Sequence, residues 1–246
     1  MKENKYDDPA FFDAYGKMER SVRGLEAAGE WPALRSLFPH FEGKKVLDLG
    51  CGYGWHCRYA AERGATVLGT DISEKMIAEA KKRNLMPGIA YRQQPVEDLS
   101  AGPGSFDVVI SSLVMHYVQD YASVCEKIYD LLNAGGSFVF SVEHPVFTAE
   151  GSQQWITDDS GRARYWPVDH YYAEGARQTD FLGSKVVKYH RTLTSYLETL
   201  FRLGFILKHV IEPQPDPVLV AQHPGYKNEL RRPMMLLIRA DKPAAN

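Results

Sequence analysis

Residues 46–54 read Val-Leu-Asp-Leu-Gly-Cys-Gly-Tyr-Gly, and no other stretch limits the fold so tightly. Val46, Leu47 and Leu49 form the short apolar run of a parallel strand buried on both faces. Gly50, Gly52 and Gly54 then allow a tight turn in which backbone approaches a ligand without a Cβ in the way. A helix opening near Trp55 presents unpaired N–H groups beside it. Strand, glycine turn and helix in that order predict a parallel α/β sheet with a nucleotide-like ligand at the turn.

Dinucleotide enzymes use a related turn for pyrophosphate. Here Asp48 precedes the first glycine by two residues, where a carboxylate repels pyrophosphate but can hold an ammonium or order the loop. A second acid, Asp71, ends the next apolar run, Ala65-Thr66-Val67-Leu68-Gly69-Thr70, in position to accept both hydroxyls of a ribose. This order of parts resembles motif I and its successor in class I S-adenosylmethionine-dependent methyltransferases, in particular the type 11 domain of small-molecule methyltransferases. The resemblance covers residues 44–240.

The resemblance, together with the alternation of strand-like and helical runs, implies one doubly wound, Rossmann-like domain over residues 1–246. Its seven strands take the order 3-2-1-4-5-7-6, the seventh antiparallel, with N-terminal cap helices over 1–43 and a lid or acceptor-binding insertion over 146–188 after strand 5. It also implies S-adenosylmethionine as cofactor and S-adenosylhomocysteine as product. The residues expected around the cofactor are Tyr15, Asp48, Gly50, Cys51, Gly52, Tyr53, Asp71, Ile72, Val96, Glu97, Ser111 and Ser112. In the family an acid after the third strand accepts the adenine amino group. Pro95 stands at that place here, leaving Gln94, the Val96 N–H and Glu97 as adenine candidates.

Along the chain, Phe11, Phe12, Tyr15, Met18, Val22 and Leu25 have helical spacing, and Trp31, Leu34, Leu37 and Phe38 predict a second helix after Gly29. Ser73 is a predicted N-cap for the helix carrying Met76, Ile77 and Ala80. Strands are expected at 89–92, 106–112 and 137–142, and the closing pair at 205–211 and 234–238. Residues 146–188 lose periodicity and gather Trp155, Tyr165, Trp166, Tyr171, Tyr172 and Phe181, which predicts an ordered binding loop that shapes the acceptor pocket. Lys188 to Thr192 is read as the opening of the last helix.

Ligands of open parallel sheets bind beyond the carboxyl ends of the strands. Glu143 and His144 follow the fifth strand, His116 follows the fourth, and His190 arrives from the last helix, so these four are the catalytic candidates. Histidine suits proton transfer near neutral pH. Glu143 beside His144 lacks a further ligand at metal spacing, and no metal is expected. With 44% hydrophobic residues, a formal net charge of −2 and three scattered cysteines, the chain reads as a cytoplasmic globule with free thiols, without a nucleic-acid face or membrane segment. The function expected is methyl transfer to an N or O nucleophile of a small-molecule acceptor. The alternatives are a macromolecular acceptor, tRNA or protein, and a nicotinamide oxidoreductase, which Asp48 and the missing hydride-transfer constellation contradict. The oligomeric state is left open.

Overall fold

In the computed structural model, residues 4–100, 102–222 and 224–245 are described. Their strands in chain order are β1 (Lys45–Leu49), β2 (Thr66–Asp71), β3 (Ile89–Gln93), β4 (Phe106–Ser112), β5 (Leu132–Glu143), β6 (Ile156–Thr157), β7 (Ala163–Tyr165), β8 (Gly175–Phe181), β9 (Ser184–His190), β10 (Ile206–Ile211) and β11 (Met235–Asp241). The main sheet runs β10-β11-β5-β4-β1-β2-β3. β1 pairs in parallel with both β2 and β4, whereas β11 is antiparallel to β5 and β10. With β10 and β11 counted as sixth and seventh, this is the expected 3-2-1-4-5-7-6 order.

Neighbouring residues of the central strands point to opposite faces, and each face has its own helices. The helices are α1 (Pro9–Gly16), α2 (Glu19–Arg23), α3 (Trp31–Leu37), α4 (Trp55–Ala61), α5 (Glu74–Asn84), α6 (Tyr121–Leu131), α7 (Pro145–Thr148), α8 (Leu193–Arg202) and α9 (Pro217–Gln222). Leu47, Val109 and Phe140 pack with Val124 and Ile128 of α6 and Tyr196 and Leu200 of α8. Val46, Val108 and Ile110 pack on the other side with Cys57 of α4 and Ile77 and Ala80 of α5. Leu34 and Leu37 of α3 cover Val139 and Leu237 nearer the antiparallel end. The chain leaves β1 towards β2 and returns to β4 on its other side, so the strand order reverses beside β1 and opens a crevice at the strands' carboxyl ends.

The long N-terminal helix expected from spacing is broken. Asp8 caps α1 by accepting from the Phe11 N–H at 3.0 Å, and α1 stops at Gly16. Met18 is extended, α2 restarts the helix, and a 3₁₀ turn follows over Gly24–Ala27. Ahead of α1, Asp7 takes the Ser73 hydroxyl proton at 2.5 Å and the Lys75 N–H at 3.2 Å, fastening the segment to the start of α5. Ser73 caps α5 as predicted, accepting from Met76 N at 3.1 Å.

The insertion is more regular than its sequence suggests. β6 and β7 form a short hairpin, and β8 and β9 pair over their full seven residues. Leu182 and Gly183, at φ 52° and 75°, make the two-residue turn that such a hairpin needs. Val186, Lys188 and His190 of β9 all face inward and are buried. Two of these three are polar, so the two-residue period escapes an apolar pattern. Lys188 to His190 therefore finish a strand, and α8 begins at Leu193 behind a Thr192 cap. Among the described residues no helix is long and apolar enough to cross a membrane.

Candidate active site

Gly50, Gly52 and Gly54 have φ values of 69°, 52° and 78°, in the left-handed region that L side chains avoid. At Gly50 a Cβ would also run into Val114, and at Gly54 into the Tyr91 ring. At Gly52 it would meet nothing within 4 Å. The middle glycine thus faces open space while its neighbours are wedged. Asp71 holds the loop from the next strand, taking the Gly52 N–H at 2.9 Å on one carboxylate oxygen and the Ser73 N–H at 2.9 Å on the other. Burial pushes its carboxyl up to about 6 despite these hydrogen bonds.

The loop opens into a cavity of about 720 Å³, within the range of roughly 300 to 1,000 Å³ usual for small-molecule sites. Of the expected cofactor residues, Tyr15, Gly50, Cys51, Gly52, Tyr53, Asp71, Ile72, Val96, Glu97 and Ser112 line it. Asp48 and Ser111 lie behind the loop instead. The Cys57 thiol of α4 donates to Asp48 at 3.2 Å, the other Asp48 carboxylate oxygen is buried without a hydrogen-bond partner, and burial raises this carboxyl to about 7. The Ser111 hydroxyl donates to the Leu49 carbonyl at 3.4 Å. Pro95 lies on the wall beside Val96 and Glu97, whereas Gln94 turns its amide to the Asp98 carbonyl at 2.7 Å.

At the other end, His116 and Glu143 reach the cavity. The Glu143 N–H donates to His116 Nδ1 at 3.3 Å. Glu143 receives the Lys188 ammonium on Oε1 at 2.5 Å and the Gln153 amide on Oε2 at 2.6 Å, while Gln153 Oε1 accepts from Lys188 at 3.1 Å. Burial alone would raise the Glu143 carboxyl, but the Lys188 ammonium and the hydrogen bonds from Lys188 and Gln153 hold it below the ordinary carboxylate range. Burial drives the His116 imidazole down to about 4, against the pull of Glu143 and with the push of Lys188 and Arg191. Arg191 is itself buried and donates to the Val118 and Gln119 carbonyls, pinning the turn that carries His116.

His144 and His190, both expected at the transfer site, turn elsewhere. His144 Nδ1 accepts from the Val146 N–H at 3.0 Å, and Nε2 lies 2.7 Å from Glu212. His190 sits between the Thr148 hydroxyl at 2.8 Å and the Tyr171 carbonyl at 2.9 Å. Both serve the packing of the insertion. Its aromatics mostly do likewise: Arg232 is held over the rings of Phe147 and Trp166 at 4.6 and 4.2 Å, with Trp155 at 5.5 Å. Tyr165 and Tyr172 are exposed. Phe181, Val186, Val187 and Tyr189 of the β8–β9 hairpin reach the cavity.

Sequence reasoning missed Tyr6, His56, Gln153 and Lys188. Tyr6 packs edge-on against Phe11, Tyr15 and Tyr117 at 5.1, 5.4 and 6.4 Å and lines the cavity. His56, packed on Trp31, lines the wall and is driven down to about 4 by burial. Aromatic spacing in 6–15 marks Tyr6, but nothing local marks the others. Among the described residues no group of three or more His, Cys, Asp or Glu could hold a metal ion.

Residues 47–140 match the model of a methyltransferase domain family. The crystal structure of an S-adenosylmethionine-dependent methyltransferase from Mesorhizobium loti is 45% identical, with a TM-score of 0.82 over 89% of this chain and 100% of that one. A Listeria monocytogenes structure is 51% identical, with a TM-score of 0.82 over 88% of this chain and 99% of the other. A ubiquinone biosynthesis O-methyltransferase from Pseudomonas aeruginosa is 41% identical over 102 residues, 40% of this chain and 44% of that enzyme. With the sheet order, the glycine cradle and Asp71 in place, this chain belongs to the class I S-adenosylmethionine-dependent methyltransferases.

Proposed function

We propose that the enzyme methylates an N or O nucleophile of a small molecule held in the 720 Å³ cavity, in one domain whose covers, among the described residues, are 4–43 and 146–188. The observation that carries this reading is the cavity's continuity. It runs from Gly52 and Asp71 to His116 and Glu143, between Tyr6 and Tyr15 on the N-terminal side and Phe181 and Val187 of the hairpin. A space walled in this way suits a small guest.

The cofactor end fits S-adenosylmethionine on two grounds. Gly52 leaves open the volume that a Cβ would fill, and Asp71 presents to the cavity a carboxylate already oriented by backbone N–H groups of Gly52 and Ser73, one on each oxygen. Its remaining lone pairs suit ribose hydroxyls, Val96 and Glu97 flank the adenine region, and Tyr15 and Tyr53 cover the loop. S-adenosylmethionine supplies a methyl group on a sulfonium, whose sulfur keeps the bonding pair as the nucleophile forms the new bond. The protein's contribution is alignment, worth up to about 7 to 11 kcal/mol in favourable cases. The three buried thiols suit a reducing compartment, and we assign the enzyme to the cytoplasm.

The test is incubation with methyl-labelled S-adenosylmethionine and a fractionated metabolite extract. Label is expected in a low-molecular-mass product. A parallel incubation with the RNA and protein fractions of the same cells that takes up label, while no metabolite fraction does, would overturn the small-molecule reading.

A further inference from the structure

On the cavity wall the side chain of His116 is hydrogen-bonded to the backbone of Glu143. His116 is 2% exposed, and its Nδ1 accepts the Glu143 N–H at 3.3 Å. A neutral imidazole whose Nδ1 accepts must carry its proton on Nε2. The ring is neutral at pH 7, since burial lowers it to about 4. His116 is therefore a fixed hydrogen-bond donor at Nε2, and a further proton could add only at Nδ1, at the cost of the Glu143 N–H contact.

Glu143 presents the complementary group. Each of its oxygens accepts once, from Lys188 at 2.5 Å and from Gln153 at 2.6 Å, and an ionised oxygen has a further acceptor position. Lys188 balances its charge, so the Glu143 corner of the cavity carries no unpaired carboxylate to draw a cation. Tyr6, Tyr117 and Phe181 supply flat apolar surface around the pair.

We propose, on the basis of the small-molecule reading above, that His116 and Glu143 recognise the acceptor jointly, and that the acceptor is a flat, uncharged ring with a lactam edge: an N–H beside a carbonyl. The carbonyl accepts from His116 Nε2–H, and the ring N–H donates to Glu143. As the nitrogen lone pair forms the bond to the methyl carbon, the old bonding pair stays on sulfur and the nitrogen's proton passes to Glu143, then to water. Because Glu143 is held below the usual carboxylate range, it takes that proton only as positive charge develops on the nitrogen.

Calorimetric titration of the S-adenosylhomocysteine-saturated protein with three probes tests this without turnover. The probes are 2-quinolone, which has the lactam edge, N-methyl-2-quinolone, which lacks the N–H, and quinoline, which lacks the carbonyl. The intact protein should bind 2-quinolone at least tenfold more tightly than either of the others. His116→Leu should erase the advantage over quinoline while keeping that over N-methyl-2-quinolone, and His116→Gln, which retains a donor, should restore part of it. Should His116→Leu not fold, nitrogen-15 spectra of the intact protein decide the tautomer: Nε2 protonated and Nδ1 bare at pH 7 is expected. Equal affinity for the three probes, no binding of 2-quinolone, or a proton on Nδ1 would overturn the proposal. Labelled methyl in a small molecule together with any of those results removes this inference alone, whereas failure to bind S-adenosylhomocysteine removes the methyl-transfer reading beneath it.

Discussion

The two ends of the cavity are built by different means. At the Gly50–Gly54 end the working parts are backbone groups shaped by glycine conformations and steadied by Asp71, nineteen residues from Gly52. At the Glu143 end they are side chains, drawn from the ends of β4 and β5 and from a hairpin whose Lys188 stands forty-five residues from its partner. A backbone site tolerates change in its surroundings so long as the dihedrals survive. A side-chain site depends on every partner's charge and reach. The first suits a constant ligand and the second a ligand that differs between relatives.

The first substitution tests the side-chain end. Lys188→Met removes the buried partner of the partly buried Glu143 carboxylate, and thermal or urea unfolding should show a loss on the order of 3 kcal/mol. Adding Glu143→Gln should return most of it, and a double variant as unstable as the single one would show that Lys188 acts by packing alone.

Next comes a pair of substitutions at the backbone end. Gly50→Ala meets Val114 at a left-handed φ and should cost about 2 to 4 kcal/mol. Gly52→Ala meets only open space and should cost about 1 kcal/mol, yet weaken S-adenosylhomocysteine binding at least tenfold. Equal stability losses with equal affinities would erase the distinction between wedge and cradle.

The pH dependence of stability probes what lies under the loop. Asp48 holds its proton to about pH 7 when folded but only to its ordinary 3.8 when unfolded. Between those values the native state binds more protons, so this group's contribution to stability falls as pH rises from about 4 to 7. Asp48→Asn removes that dependence. Its stability relative to the parent should climb over that window, by on the order of 4 kcal/mol, and level off above it. A constant difference from pH 4 to 8 would show that Asp48 is ionised throughout.

The smallest effects compare one residue on the cavity wall with one behind it. Asp71→Ala should weaken S-adenosylhomocysteine binding by about 1.5 to 3 kcal/mol. His144→Ala should leave that affinity unchanged and turnover within about twofold, with about 1 kcal/mol lost from stability through Val146 and Glu212. A turnover defect without a stability defect would return His144 to the chemistry.

The same division explains what could be read from the sequence. Strand, glycine turn, helix, strand and Asp71 lie within twenty-six consecutive residues, 46–71, and each part follows from local sterics, so the sheet order and the cofactor end were legible. Ser73 was legible for the same reason, since its cap spans three residues. The acceptor end was not. His144 and His190 stand where strand ends suggest chemistry, but ring direction depends on Glu212 and Thr148, which no local pattern associates with them. The aromatic content of the insertion marked order correctly, yet its Trp residues enclose Arg232 while Val186 and Val187 meet the cavity. β9 hid its inward face by placing Lys188 and His190 on it.

Asp7 and Asp71 hold opposite sides of Ser73, one through its hydroxyl and the other through its amide. The N-terminal segment, which carries Tyr6 to the cavity wall, and the acid proposed to bind the ribose thus meet at one residue, with Lys75 N–H as a further hold on Asp7. This gives the covering segment a built-in reporter. When it lifts, the Lys75 amide loses its acceptor on Asp7 and exchanges with deuterated solvent, while the Met76 amide, still bonded to Ser73, lags behind. The ratio of the two uptake rates measures how often the entrance stands open.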